Sequence, residues 1–570
     1  MFRIDTVGIK NYRSILDETF PLSNLTALVG KNDVGKSNFL DAVALLFEGS
    51  ATSLGPEDFY DPNEPVEIVV ALRGAMAYLP LCDERNRSRV QQSIAPNDVL
   101  TLRRIAPSPR EFGRIEILDP VGGKFSTPTG IDAAIRPMLP EMIFIEALAD
   151  VKEELKGTQK DALGKLVGQI VSSVTDEVEP DLRKAYDDAD KKLNIQMDGS
   201  DARVADLRAI ESEISSYLRE MFPSDSVQLR VALPSVREIL GKVDVSVGGD
   251  PYYRKGQGVQ RALYLSMVRA LAARVRRAEK LTRPFVILFE EPEAFLHPDG
   301  QLKMRTALGT IAEKAQVLIA THSPLMIDAS FIERIIRIEK RVEAPRPKPV
   351  TRRHGPIDRT ALTDLERQLL RLFALQRSSK FLFAKGVLLV EGEGDEHLLG
   401  AIALTVRDLD FEAAEIALVE VGGKESVPPS AAILRMLGLK VWSVVDLDFL
   451  WRGAGDVLQD DVDLSQLVQR AKAETKWEEL DDDKDERRRR MTEICCGALA
   501  DRRDAVCAKL RTLGIYVLRR GEMEQYVGLG RRSKGEYLKA AAQVRDGTRA
   551  VKDVSDFAPL FDDIQQWAAS

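Results

Sequence analysis

The sequence is short of the features that would place a protein outside the cytoplasm. Its 570 residues include four cysteines, at positions 82, 495, 496 and 507, and their spacing forms neither a disulfide framework nor a zinc-binding pattern. No apolar run approaches the roughly 18–20 residues that a membrane-spanning helix needs. The first residues, MFRID, lack the pattern of a secretory signal. These absences predict a protein of the reducing cytoplasm with no membrane partner.

The chain also lacks an excess of positive charge. Its formal net charge is −8, which argues against a protein that coats DNA by electrostatic attraction alone. Binding to DNA stays open, because a binding site needs only a local concentration of cations where the phosphates lie. Hydrophobic residues make up 44% and charged residues 30% of the chain, as in globular proteins, and the length allows roughly two to four domains.

Changes in residue pattern divide the chain into five segments. Residues 1–150 are rich in strand-like runs, and residues 236–340 return to an α/β pattern after a helical insertion at 151–235. A linker and a helix are predicted over 341–380. Residues 381–570 alternate strands with helical stretches, which predicts a second α/β domain.

Two of these segments carry patterns specific to helices and linkers. In the insertion, apolar residues recur at helical spacing between 163 and 178, and again from Val204 through Leu207, Ile210 and Ile214 to Leu218. Two interpretations stay open for these stripes: packing on the parent domain, or a helix pair that joins two chains. In the fourth segment, proline stands at every second position of 345–349 and excludes a regular helix there.

A phosphate-binding loop is predicted at residues 30–37. Their sequence, GKNDVGKS, fits G-x-x-x-x-G-K-[ST], with a strand-forming run at 25–29 before it and a helix predicted from Ser37 to Phe47 after it. Backbone N–H groups of such a loop cradle phosphate oxygens, Lys36 reaches the β- and γ-phosphates, and Ser37 offers a hydroxyl to Mg²⁺. The residues predicted to bind ATP here are Gly30, Asn32, Gly35, Lys36, Ser37 and Asn38.

Two later segments have the order expected of an ATPase. The apolar run at 285–289 ends in acids, of which we predict that Glu290 holds the water shell of Mg²⁺ and Glu291 polarises an attacking water. His322 directly follows a second apolar run at 317–321, where it can contact a γ-phosphate.

Acidic residues follow the strands of the C-terminal segment. Glu391 comes after the run at 387–390, and Asp446 and Asp448 come after the run at 441–445. Carboxylates at adjacent strand ends converge on one edge of a parallel sheet, where they resist ionising together unless a cation neutralises them. Oxygen ligands suit Mg²⁺ or Mn²⁺, so we predict a metal site for phosphodiester chemistry.

Attack by water needs more groups than these three acids supply. Two metal ions can activate the water and stabilise the leaving oxygen, which calls for further acids, and Asp395 and Glu524 are the candidates. Lys534 is the candidate for stabilising the developing charge, with Arg531 and Lys539 as alternatives.

Two other features of this segment are interpreted as structural. Residues 422–424, GGK, are typical of a turn at a strand end, although the glycines could also let DNA or a metal ion approach closely. The charge run at 481–490, DDDKDERRRR, is typical of a solvated helix face, although its arginines could also contact a DNA backbone.

The order of the ATPase segments resembles ABC-type ATPases of the SMC and RecF kind. Residues 10–14, KNYRS, and 290–298, EEPEAFLHP, carry the likeness. The signature motif of that group would fall at 256–260, GQGVQ, which lacks its serine and keeps one aligned glycine. The resemblance therefore implies ATP binding, and the departure predicts slow hydrolysis.

The C-terminal acids resemble the TOPRIM domain of topoisomerases, primases and some nucleases. An ABC-type ATPase domain, a helical insertion and a TOPRIM domain in this order are similar to the OLD family of nucleases, which includes the nuclease of the Gabija anti-phage system. The resemblance implies an ATP-binding, Mg²⁺- or Mn²⁺-dependent endonuclease that cuts double-stranded phage or plasmid DNA. It also implies a cutting centre made of Glu391, Asp395, Asp446, Asp448, Glu524 and Lys534.

The same resemblance implies a homodimer or tetramer, a role in anti-phage defence, and a partner protein such as a UvrD-like helicase. It leaves open whether ATP activates or inhibits cleavage. The alternative function is a DNA-binding repair protein of the RecF kind without nuclease activity. Such a protein needs only the ATPase half, so the carboxylates from Glu391 to Glu524 count against it.

Overall fold

The computed structural model describes most of the chain and three sheets within it. The described residues are 2–50, 53–146, 180–195, 200–221, 227–231, 233, 246–275, 283–343, 348–357, 372–373, 380–477, 484–529 and 533–568. Among the helices of these residues, none combines the length and the apolar character needed to span a bilayer.

The first sheet is antiparallel and consists of N-terminal strands in the order β2-β1-β4-β5-β6-β7. In β4 and β5, buried residues alternate with half-buried ones, as expected where one face of a sheet packs on a core. The strands are β1 (Arg3–Tyr12), β2 (Ile15–Pro21), β4 (Val66–Arg73), β5 (Val99–Ala106), β6 (Glu116–Leu118) and β7 (Phe125–Ser126).

The second sheet has the order β14-β13-β3-β12-β11-β8 and is parallel except for β14. All residues of β3 and β12 are buried, because helices and the first sheet cover the faces of the second sheet. Since β3, β12 and β11 are neighbours, the loops that follow them meet at one edge. The strands are β3 (Leu25–Val29), β8 (Glu141–Ile145), β11 (Phe285–Glu290), β12 (Gln316–Thr321), β13 (Ile335–Arg341) and β14 (Val350–His354).

Strand β14 lies in the segment that we predicted as a linker and a helix. It pairs antiparallel with β13, from Arg341↔Val350 to Arg337↔His354. Because of the prolines at 345–349, the sequence did not predict this strand. A proline disfavours regular pairing only at its own position, and the strand begins directly after the last proline. Most of the helix predicted over 359–380 falls outside the described residues.

The helical insertion is described in part, by helical residues 180–193 and by a helix at Ala205–Met221. The apolar residues Val204, Ile210 and Ile214 are 45%, 48% and 39% exposed. The buried positions of this segment are polar: Arg203 donates from Nη1 to Glu211 Oε1 at 2.6 Å. Three residues of the second predicted stripe, Val204, Ile210 and Ile214, therefore face outward in the single chain, while Leu207 is half-buried. The first stripe lies outside the described residues.

The third sheet is parallel, with the order β16-β15-β17-β18. One apolar cluster continues from the second sheet into this one and includes Val29, Ile335, Val387 and Val441. The strands are β15 (Gly386–Val390), β16 (Ile416–Glu420), β17 (Lys440–Val445) and β18 (Ile515–Val517), and a separate hairpin pairs β9 (Ser246–Val247) with β10 (Asp250–Pro251).

The α-helices flank these sheets. In chain order they are α1 (Lys36–Glu48), α2 (Glu84–Ser93), α3 (Ile131–Ile135), α4 (Ala205–Met221), α5 (Gln257–Val275), α6 (Pro298–Ala312), α7 (Glu393–Arg407), α8 (Val427–Met436), α9 (Phe449–Arg452), α10 (Ala454–Val457), α11 (Val462–Thr475), α12 (Lys484–Cys496), α13 (Ala500–Thr512), α14 (Met523–Val527), α15 (Lys534–Arg545) and α16 (Ala558–Ala568).

Candidate nucleotide and metal sites

The predicted phosphate loop joins β3 to α1, and two of its glycines have backbone angles that other residues rarely adopt. Gly30 has φ 155° and Gly35 has φ 106°. A side chain on Gly30 would overlap the carbonyl oxygen of Ile338, and one on Gly35 would overlap Oγ1 of Thr351. The loop therefore needs glycine at both positions, and β13 and β14 support it from outside.

Lys36 is buried beneath this loop. Its Nζ donates to the carbonyl oxygens of Gly30 at 2.9 Å and Lys31 at 2.5 Å. Burial lowers the pKa of Lys36, against the opposing effect of the nearby glutamates led by Glu291. The ammonium group is thus held among backbone oxygens that phosphate oxygens can replace.

The loop and the acids after β11 share a cavity of about 150 Å³. Of the other predicted residues, His322 places Nδ1 3.2 Å from Glu291 Oε1, and Asn38 donates from Nδ2 to Ser14 Oγ at 2.8 Å. The residues that line the cavity are Asn32, Asp33, Gly35, Lys36, Ser37, Asn38, Glu290, Glu291 and Ala320. All but Asp33 and Ala320 are positions that we predicted, and Gly30 and His322 lie outside the lining.

The acids of this cavity fit a magnesium–nucleotide complex. Within the described part of the chain, no hydrogen-bond donor reaches the buried Oε1 of Glu290, which lines the cavity. A buried carboxylate oxygen without a partner is costly. A Mg²⁺ ion with its water shell would satisfy such oxygens, and the lysine beside them suits the phosphates of the same ligand.

Glu293 is a residue whose role the sequence reasoning missed. Its Oε1 accepts hydrogen bonds from Thr321 Oγ1 at 2.6 Å, from the backbone N of His322 at 2.9 Å and from the backbone N of Ser323 at 3.0 Å. It therefore fixes the turn that presents His322. A signal was available, because three acids around Pro292 exceed the two that the chemistry required.

The C-terminal acids converge at one edge of the third sheet. Strands β15 and β17 are neighbours, so Glu391 after the first and Asp446 and Asp448 after the second lie together. Their carboxylate oxygens lie within 4.8 Å of one another. The backbone N of Asp446 donates to Glu391 Oε1 at 2.9 Å, which orients that carboxylate.

Burial and mutual repulsion make this group of acids hard to ionise. Burial raises the pKa of Glu391, and burial together with the neighbouring acids raises that of Asp446 well above its usual value. Burial, followed by the charges of Glu524 and Glu391, raises the pKa of Asp395 to about 7. A divalent cation would relieve this repulsion, and carboxylate oxygens are ligands that Mg²⁺ and Mn²⁺ accept.

Glu524 and the start of α15 lie beside the same edge. Tyr537, one turn into α15, donates its hydroxyl to Glu524 Oε1, and its ring lies close to Gly394 at the start of α7. Lys534 is the first residue of α15, and its side chain lies outside the described part of the structure. The structure therefore brings the five predicted acids close to one another, and the helix that begins at Lys534 contacts them through Tyr537.

Two cations reach these acids from features that we had interpreted as structural. Lys424, which follows the two glycines of the 422–424 turn, places Nζ 3.6 Å from Glu391 Oε2 and contacts Asp448. Arg488, from the charge run on α12, places Nε 3.0 Å from Asp448 Oδ2 and also contacts Glu522. For Arg488 the interpretation as a solvated face is wrong, because that side chain turns toward the sheet edge.

Comparison with known proteins matches both halves of the chain. Residues 2–87 and 131–327 match an AAA ATPase domain, and residues 382–448 match the TOPRIM domain of the overcoming lysogenization defect protein-like group. These matches confirm the predicted fold class of an ATPase domain followed by a TOPRIM α/β domain.

Three relatives match over most of their length. The Old nuclease of Escherichia phage P2 is 29% identical over 569 residues, covering 93% of this chain and 94% of the relative. The OLD nuclease of Thermus scotoductus is 24% identical, with 86% and 88% covered. Endonuclease GajA of Bacillus cereus is 22% identical, with 74% and 71% covered. With its ATPase domain, its OLD-like TOPRIM domain and these relatives, the chain is similar over most of its length to nucleases of the OLD family.

Proposed function

We propose that this protein is an ATP-binding, metal-dependent endonuclease that hydrolyses phosphodiester bonds of double-stranded DNA. The observation that carries the proposal is the convergence of Glu391, Asp446 and Asp448 at one sheet edge, with their oxygens within 4.8 Å of one another. The printed names of the three relatives, each a nuclease, support the same reaction.

The five acids would hold one or two Mg²⁺ or Mn²⁺ ions. Glu391, Asp446 and Asp448 would form one ligand set, and Asp395, which lies near both Glu391 and Glu524, would join these two acids in a second. Bound ions would supply an activated water and stabilisation of the leaving oxygen.

The cations of the site would act on the DNA. Lys424 and Arg488 already contact the carboxylates at the sheet edge, so they are placed to bind the phosphates on either side of the cut. Lys534 would stabilise the charge that develops on the phosphate in the transition state. These roles need no contact with the bases, so they are compatible with cleavage that depends little on sequence.

The ATPase half would regulate cleavage. Lys36, Ser37 and Glu290 would hold Mg²⁺ and ATP, and Glu291 would polarise water. His322, which lies beside Glu291, would contact the γ-phosphate. Both halves share one apolar cluster. A conformational change at the nucleotide site would therefore reach the TOPRIM sheet through packed side chains. We place the activity in anti-phage defence in the cytoplasm, in a homo-oligomer that acts with a partner such as a UvrD-like helicase.

Cleavage of supercoiled plasmid tests this proposal. Wild type should nick or cut in Mg²⁺ or Mn²⁺, and Glu391→Gln should not, because it removes a ligand that both sets share. Glu412→Gln, at an exposed position, is the matched control and should cut normally. Equal cleavage by wild type and Glu391→Gln would show that the TOPRIM domain is not the nuclease. If the wild type failed to cut with every metal and nucleotide tested, the alternative function as a DNA-binding repair protein would be favoured.

A further inference from the structure

A second cavity lies on the outer side of the phosphate loop, between the ATPase and TOPRIM domains. Its volume is about 660 Å³, within the roughly 300–1,000 Å³ of small-molecule sites. Residues 30–34 of the loop and 337–341 of β13 form one wall. Residues 382–385 and 438–440, with Trp567, form the other. This cavity is separate from the smaller one that holds Lys36 and Ser37.

The lining of this interdomain cavity is strongly basic. Asp33 and Glu339 are the acids among its lining residues. Six cationic lining residues face these two acids and Glu415, which pairs with two of the cations, so the local excess is three positive charges. In a chain of formal charge −8, this excess favours an anion in the cavity. The cationic lining residues are Lys31, Arg337, Lys340, Arg341, Lys385 and Lys440.

The ion pairs around the cavity can be exchanged for a ligand. Glu415 is shared by Lys31 at 2.5 Å and Lys385 at 2.9 Å, so one carboxylate serves two ammonium groups. Lys340 pairs at 2.9 Å with Asp33, whose side chain is 95% exposed. An exposed pair such as Lys340–Asp33 contributes little to stability, so phosphate oxygens could replace its carboxylate at small cost.

The opposite wall carries apolar and aromatic side chains. Trp567 and Phe383 are half-buried there, beside the buried Leu382 and Leu439. The ring of Trp567 packs edge-on against Trp442, with centroids 5.0 Å apart, which limits its orientation. A ligand for this cavity therefore needs both phosphate groups and a flat ring.

We propose that the interdomain cavity binds a mononucleotide. Its phosphates would lie among Lys31, Lys340, Lys385 and Lys440, and its base against Trp567 and Phe383. The inference goes beyond the nuclease reaction and does not depend on it. Asn32 and Asp33 line both cavities, so the two ligands would contact opposite sides of one loop. Each should therefore change the affinity for the other by the same factor.

Titration of the full-length Lys36→Ala protein with ADP tests the proposal, because that substitution removes the main cation of the phosphate loop. Calorimetry should still detect one ADP per chain, with a change in tryptophan fluorescence. Adding Lys385→Glu and Lys440→Glu should weaken this binding by about tenfold or more, since charge-assisted hydrogen bonds are worth at least that factor. Adding Lys124→Glu and Lys303→Glu instead makes the same charge change at exposed positions elsewhere and should leave it unchanged.

Three results would overturn the proposal. The first is no ADP binding by Lys36→Ala up to about 1 mM, and the second is binding that Lys385→Glu with Lys440→Glu leaves intact. The third is displacement of ADP by a short duplex with 5′-phosphates, which would assign the cavity to DNA. Plasmid cleavage is measured separately, so a protein that binds ADP here but cuts no DNA would contradict the proposed nuclease and not this site.

Discussion

The guanidinium group of Arg488 lies between the two aspartates that follow β17, with Nε 3.0 Å from Asp448 Oδ2 and Nη2 3.1 Å from Asp446 Oδ2. Lys424 approaches the same acids from a glycine turn. These cations contact oxygens that would bind a metal ion, so they compete with it. Metal binding should release Arg488, which then becomes available to a DNA phosphate.

Removal of Arg488 should therefore strengthen metal binding while it weakens DNA cleavage. We expect Arg488→Ala to raise the affinity for Mn²⁺ in the absence of DNA by about tenfold, because one charged competitor is lost. The KM for plasmid should rise in the same variant. Calorimetry with Mn²⁺ and steady-state cleavage measure the two effects.

Arg489→Ala is the matched control for this prediction. Arg489 is the next residue of the same helix, but it pairs with Glu486 and Glu493 on the helix surface. The removal of Arg489 should change neither the affinity for Mn²⁺ nor the KM for plasmid. If Arg488→Ala bound Mn²⁺ more weakly than wild type, Arg488 would be a support for the acids and not a competitor.

Metal binding should also depend on pH. Burial and the charges of Glu524 and Glu391 raise the pKa of Asp395 to about 7, so this carboxyl is protonated below that pH in the metal-free protein. A metal ion needs the carboxylate and must displace the proton. Affinity for Mn²⁺ should rise as the pH increases toward 7, by at most about tenfold per unit for each proton released.

Calorimetry in buffers of different ionisation enthalpy counts the protons released. Asp395→Asn should bind Mn²⁺ more weakly than wild type at pH 8 and should release fewer protons at pH 6. An affinity that is the same at pH 6 and pH 8 in the wild type would show that Asp395 is already ionised, and would contradict this prediction.

The elements that the sequence predicted well are those with local signals. The run at 25–29 forms β3 with the predicted bounds, and the strands before the acids at 391 and 446 begin within one residue of theirs. Continuous apolar runs of this length are typical of buried parallel strands. Acids directly after such strands reach one edge because neighbouring parallel strands end together, so the composition of the acidic group could be predicted as well.

The cations of the metal site could not be predicted in the same way. Arg488 is one of four consecutive arginines, and which of them faces the acids depends on how α12 packs against the sheet. Lys424 depends on the left-handed backbone of Gly422, with φ 71°, and on Gly423, with φ 121°. Both are set by tertiary contacts, and a single sequence records no such contacts.

The exposed apolar residues of the insertion predict a dimer. Val204, Ile210 and Ile214 are exposed on a helical segment whose buried positions are polar, and a second copy of the chain would cover them. Light scattering at micromolar concentration should find a mass of at least twice 63.4 kDa. Ile210→Glu should shift it toward the monomer, whereas Arg208→Glu, at a nearby exposed position, should not. A monomeric wild type would contradict the prediction directly.

The last prediction concerns the cation that assists the chemical step. Lys534 opens α15, and Tyr537 on the same helix contacts Glu524, so this helix is tied to the acids. We expect Lys534→Ala to slow single-turnover cleavage by roughly 10²–10³-fold, as the loss of one electrostatic donor does elsewhere. Affinities for Mn²⁺ and ATP should not change, because Lys534 ligates neither. Lys539→Ala, at an exposed position of the same helix, is the control and should cleave at nearly the wild-type rate. If Lys539→Ala lost activity and Lys534→Ala kept it, the role of the assisting cation would pass to Lys539.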